Sequence, residues 1–165
     1  MKRIAIAGAM LALSSGSALA ASGNTSTASG AASASIVAPI VLTHNGGATL
    51  NFGKFTVGTG GTVVISPAGL GSVTGGITFV PGSTNAADAF SVTGDPSRNY
   101  SIATSGGSVT AGSASMAFTT VPSAAQATLG TSGSGTFTVG STLTVGSTVT
   151  PGTYSGNYTV TVTYD

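Results

Sequence analysis

Residues 152–165 read GTYSGNYTVTVTYD, and the alternation within this stretch decides the fold class. Tyr158, Val160, Val162 and Tyr164 fall on one parity, and Asn157, Thr159, Thr161 and Thr163 fall on the other. Strict period-two alternation marks a strand with one face buried. The spacing therefore predicts a C-terminal strand whose core side is Tyr158, Val160, Val162 and Tyr164.

The same parity argument extends upstream. Phe137, Val139, Leu143 and Val145 share one parity across Gly140-Ser141. A two-residue hairpin there would set the two pairs on opposite faces, so one long kinked strand is expected. In LNFGKFTVG, residues 50–58, Leu50 and Phe52 are even whereas Phe55 and Val57 are odd. A bend or bulge at Gly53 returns both pairs to one face. Further strands are expected at 61–66, 76–80 and 89–94, around Tyr100 and Ile102, at Val109, and over 114–121, where Met116 and Phe118 share a face. GDPSRN, residues 94–99, reads as a type I turn with Asp95 first and Pro96 second, and with Asp95 placed to pair with Arg98. About eight to ten short strands separated by glycine-rich turns, with no helical periodicity beyond the first twenty residues, predict an all-β domain. The expected architecture is an antiparallel β-sandwich of immunoglobulin-like type, with a closed barrel as the main competitor.

The N-terminus has a different character. Lys2 and Arg3 precede an apolar run from Ile4 to Leu13, which is followed by small residues ending Ala18-Leu19-Ala20. This is the pattern of a secretory signal peptide over residues 1–20, with Ala18 and Ala20 at the cleavage site and Ala21 as the first mature residue. The apolar run is too short to span a bilayer, so no membrane span is expected in the mature chain. Residues 21–33 form a Ser/Thr/Ala/Gly leader without pattern, and 34–165 the single sandwich domain. At the start of that domain Ala34, Ile36, Ala38, Ile40 and Leu42 alternate, interrupted by Pro39 on the other parity. Two readings are open: a first strand paired within its own domain, or a strand donated to a neighbour's groove.

Composition excludes several classes of chemistry. After cleavage Lys54 and Arg98 face Asp88, Asp95 and Asp165, a net charge near −1 from two cations and three anions. Two cations cannot neutralise a run of phosphates, so nucleic acid is not an expected partner. Cysteine and glutamate are absent, which removes thiol chemistry, disulfides and paired-glutamate hydrolysis. His44 is the one histidine and sits in THNGG, which reads as an exposed turn, while Asp88 and Asp95 read as loop residues. No catalytic, cofactor-binding or metal-ligating set is expected, and no small-molecule ligand. The chain reads as a non-enzyme.

SASIVAPIVLT, LNFGKFTVG, GTVVISPAG, FSVTGDPSRNYSI, GTFTVGSTLTVG and GTYSGNYTVTVTYD, in this order, resemble the bacterial secreted family called domain of unknown function DUF4402. The ending is also similar to spore coat protein U and chaperone–usher pilin domains, whose alternating last strand often carries a penultimate tyrosine, here Tyr164. That second resemblance implies a pilin-like sandwich, self-association through strand edges and a periplasmic chaperone as partner. The resulting expectation is an exported structural subunit, pilin-like or of a surface coat, in the periplasm, at the cell surface or outside the cell. A secreted binding module or adhesin, self-complete as a monomer, is the other reading.

Overall fold

The computed structural model describes Gly23 and residues 27–165. The expected signal peptide, with Ala18, Ala20 and Ala21, lies outside the described residues. The chain divides into two units, Met1–Ser35 and Ile36–Asp165. In the first, residues 27–35 carry no helix or strand, Ala34 included. The second is the β domain.

Among the described residues that domain has twelve strands and no helix: β1 (Val41–His44), β2 (Phe55–Val57), β3 (Gly61–Ile65), β4 (Gly71–Val73), β5 (Ile77–Phe79), β6 (Asp88–Thr93), β7 (Asn99–Thr104), β8 (Gly107–Ala111), β9 (Ala114–Pro122), β10 (Gln126–Thr128), β11 (Ser134–Val145) and β12 (Val160–Tyr164). This exceeds the expected eight to ten. The additions include β4 and β10, three residues each, too short for alternation to register.

β11 organises the domain. Along Ser134–Val139 it pairs with β6, along Ser141–Val145 with β3, and across Val139–Leu143 with β9. Val139 and Ser141 each have a β9 partner as well as one from β6 or β3, so β6 and β3 follow one another along the same edge, opposite β9. Every one of these pairings is antiparallel. A long strand with two successive neighbours on one edge needs room at the handover. Gly140 supplies it, because a Cβ there would run into the Ile65 carbonyl and lie 2.7 Å from the Pro67 nitrogen. The single kinked strand expected across Gly140-Ser141 is thus observed.

The large sheet runs β1-β6-β11-β3-β4, with β9 on β11 and β8 on β9; β10-β7-β12 and β2-β5 form two smaller sheets. Two apolar clusters fill the space between them. One is built on Val63, Ile65, Met116, Phe118, Leu143 and Val145, with Leu50, Phe52, Phe55 and Val57 packed against it. Gly53 takes a positive φ of 78°, and so both residue pairs reach the same cluster, as the parity switch requires. The other is built on Phe90, Val92, Tyr100, Ile102, Leu129, Phe137 and Val139 and receives Ile40, Leu42, Val160, Val162 and Tyr164. The result is an antiparallel β-sandwich of immunoglobulin-like kind, and the edges left open at β1 and β12 distinguish it from a closed barrel.

Two local expectations are corrected. The 94–99 turn is not type I: Ser97, its third residue, has φ 57°, which type II requires and type I forbids. The Ser97 N–H donates to the Gly130 carbonyl at 3.2 Å, so contact with the neighbouring loop holds that conformation. Arg98 stands over the Tyr164 ring, 5.3 Å from its centroid, where pairing with Asp95 was expected.

Gly140→Ala is expected to lower unfolding free energy by about 1–3 kcal/mol, the usual cost of overpacking, in urea titration. Gly46→Ala, at a position with open space, should stay within about 0.5 kcal/mol.

Candidate functional site

β1 pairs only with β6, and β12 only with β7, among the described residues. The free edges of these two strands face one another across a groove. Leu42 and His44 line one side, Tyr158 and Val160 the other, Asp88 and Phe90 form the floor, and Gly156 and Asn157 close one end around a cavity of about 400 Å³.

Register shows which backbone groups face the gap. The Asn45 N–H donates to the Ala89 carbonyl, and in the same register Thr43 and Val41 are the hydrogen-bonded partners of β6. Leu42 and His44 therefore direct their N–H and C=O away from β6. On the other side the Ser105 N–H donates to the Thr159 carbonyl and the Asp165 N–H to the Asn99 carbonyl, so Thr161 and Thr163 are the hydrogen-bonded partners of β7. Val160 and Val162 direct theirs away from β7. Both edges thus offer backbone donors and acceptors to the groove.

Tyrosine hydroxyls tie the two sides at either end. The Tyr164 hydroxyl donates to the Ala38 carbonyl at 3.0 Å and accepts from the Asp95 N–H at 2.6 Å. At the opposite end the Tyr158 hydroxyl donates to Asp88 Oδ2 at 2.7 Å, and His44 Nε2 lies 2.6 Å from Asp88 Oδ1. Ala38 lies by Tyr164 and His44 by the partner of Tyr158, so β1 and β12 run antiparallel. A strand laid between them would be parallel to one edge and antiparallel to the other.

The Asp88 cluster is the one buried charged group among the described residues; Asp88 is only 5% exposed. Removing a carboxylate from water costs several kcal/mol unless donors replace the water. Three groups surround it: the Tyr158 hydroxyl, the His44 imidazole and the Ala89 N–H at 2.9 Å. The Tyr158 ring meets Phe90 and Phe118 edge-on, at 6.4 and 6.2 Å between centroids, so it touches both apolar clusters. Its phenol is pushed up beyond the usual range, first by burial, then by the hydrogen bond to Asp88 and by repulsion from that carboxylate. Tyr158 consequently stays a hydroxyl donor throughout the neutral range.

His44 and Asp88 are not turn and loop residues, as expected, but the last residue of β1 and the first of β6, adjacent strands that bring them together. Asp95 remains in the turn. Chemically, an aspartate beside a histidine can orient the ring, but nucleophilic catalysis also needs a hydroxyl or thiol bonded to it. Among the described residues no such bond reaches His44, and no group of three His, Cys, Asp or Glu is placed to hold a metal ion.

The expected core residues of the last strand, Tyr158, Val160, Val162 and Tyr164, are all half-buried along the groove. Of the alternating set at the start, Ile40 and Leu42 pack in the second cluster, Ala38 accepts from Tyr164, and Ile36 is 98% exposed. Only Val41–His44 of this region form a strand.

A family model described as Domain of unknown function (DUF4402) matches residues 40–164. No curated protein and no solved structure matches the chain.

A phenol held protonated in the folded state stabilises that state fully below the unfolded pKa of about 10, and the contribution is lost as pH rises above it. Folding stability is therefore expected to fall as pH is raised from about 9 to about 11, with Tyr158→Phe showing the shallower slope in urea midpoints. At neutral pH Tyr158→Phe should cost about 1–3 kcal/mol, since Asp88 loses a donor.

Proposed function

The chain belongs to the DUF4402 family, and on that premise we propose that it is an exported, non-enzymatic structural subunit, pilin-like or of a surface coat, that associates with copies of itself through strand edges. The observation that carries this reading is the groove between β1 and β12, where two edges with unpaired backbone groups face each other over a floor of Phe90 and Asp88. Extended segments bind such edges by main-chain hydrogen bonds and are selected by alternate side chains.

The occupant is the segment before β1 of a second copy. Ala34, Ile36 and Ala38 alternate there, and Ile36 has its whole side chain in solvent. Ile40 and Leu42 are committed to their own core, so the donated stretch ends before them. Low charge favours the same outcome. With 4% charged residues the domain has little electrostatic repulsion to keep copies apart. The signal-peptide pattern supports an assembly beyond the inner membrane, where a periplasmic chaperone would guard the open edges beforehand.

Size-exclusion chromatography with light scattering on residues 21–165 is expected to show species above the monomer that grow with concentration. Ile36→Asp should abolish them, and a peptide of residues 33–39 should compete. A monomer at every concentration would overturn the proposal and leave the self-complete binding module in its place.

A further inference from the structure

The end of the groove near β6 is built differently from the end near Tyr164. At the latter, neutral hydroxyl-to-backbone hydrogen bonds do the tying. At the former, two side chains from separate segments, an imidazole and a phenol, converge on one buried carboxylate. We propose that His44, Asp88 and Tyr158 form a pH-sensitive latch on the groove, in which protonation of the imidazole turns its contact with Asp88 into an ion pair and draws β1, β6 and the segment leading into β12 together.

The geometry meets the requirements of a latch. Asp88 side-chain exposure is 7%, so water screens its contact with His44 weakly, whereas His44 is 50% exposed and can exchange a proton with solvent. An imidazole is the side chain whose charge ordinarily changes between about pH 5 and pH 8. Asp88 is shared: Oδ1 faces His44 and Oδ2 faces Tyr158, so a change at one oxygen reaches the other side of the groove through a single carboxylate. Tyr158 in turn is anchored from behind. Ser155 exchanges two backbone hydrogen bonds with Thr110 of β8, and Gly156 lies so close to Ser108 that a Cβ would strike its carbonyl.

No other titratable group confuses the switch. β1 contributes His44, β6 contributes Asp88, and the approach to β12 contributes Tyr158; the other lining residues are Leu42, Phe90, Gly156, Asn157 and Val160. Phe137 and Phe118, from β11 and β9, pack behind with apolar rings. Lys54, Asp95, Arg98 and Asp165 do not line this cavity. The sign follows. The ion pair exists only while the imidazole is protonated, the form that acid favours, so the groove is tighter in mild acid and looser in mild alkali.

As regulation of the groove, the latch matters to assembly only on the reading proposed above, but it can be tested without assembly. Chemical shifts of the His44 ring protons and of the groove-facing amides Leu42, Val160 and Val162 would be followed by NMR from about pH 5 to about pH 8. The expected result is one midpoint shared by ring and amides. His44→Gln, which keeps a hydrogen-bond donor and removes the charge change, should flatten all three amides. Tyr158→Phe should keep the response of Leu42 and lose that of Val160 and Val162, because it cuts the route across the gap. Flat amides while the His44 ring protons shift with pH, or an unchanged Val160 response in Tyr158→Phe, would overturn the latch, whether or not light scattering finds assembly. Where assembly is found, a greater share of oligomer at pH 8 than at pH 5 in the parent chain, and none of that difference in His44→Gln, is the expected companion result.

Discussion

A carboxylate out of water is the constraint that organises this end of the molecule. Asp88 can be buried only because donors reach it from both sides, and those donors sit on segments far apart in sequence, 44 residues away on β1 and 70 residues away before β12. Replacing water around one charge thus fixes where the first strand stops and where the last begins. The same contact sets Tyr158 edge-on between Phe90 and Phe118 and so joins the two apolar clusters. Tyr164 performs a simpler version of the task at the other end, where its hydroxyl meets only backbone groups. The penultimate tyrosine therefore ties the chain's last strand to residues 38 and 95.

Much of the fold was legible because side-chain parity in a strand depends on the strand alone. Tyr158 to Tyr164, Phe137 to Val145 and the switch at Gly53 could be read without knowing their partners. The cluster on Asp88 could not. Its members carry no common spacing, and THNGG offers turn residues immediately after His44, so local signals assigned the histidine to the turn one residue before it begins. The 94–99 turn failed for a related reason. Asp and Pro at its first two positions suit type I, but Ser97 is held at positive φ by its bond to Gly130, a contact that local preference does not include. Legibility ended where a residue's conformation was decided by a distant partner.

The open edges carry the remaining weight. Proteins commonly protect a free edge with lysine, proline, a bulge or a covering loop, since unpaired backbone groups recruit other strands. Within their strand bounds β1 reads VLTH and β12 reads VTVTY, with no lysine, arginine, proline or acidic residue in either. Val41 is 50% exposed on its edge. An edge of this kind is a hazard unless it has a use, and here two of them lie side by side.

Their antiparallel arrangement limits what that use can be. One inserted strand can satisfy Leu42 and His44 on one side and Val160 and Val162 on the other, but only with parallel pairing on one edge and antiparallel pairing on the other. Parallel pairing is slightly weaker per residue, so the inserted segment depends on its side chains for part of its hold. The lining available to them is apolar at Leu42, Phe90 and Val160 and polar at Asp88. A segment with small or aliphatic residues at alternate positions suits that lining along most of its length. On the reading proposed above, the residue that reaches Asp88 would meet a carboxylate already engaged by His44 and Tyr158, and the state of those two contacts would then govern how far a strand enters.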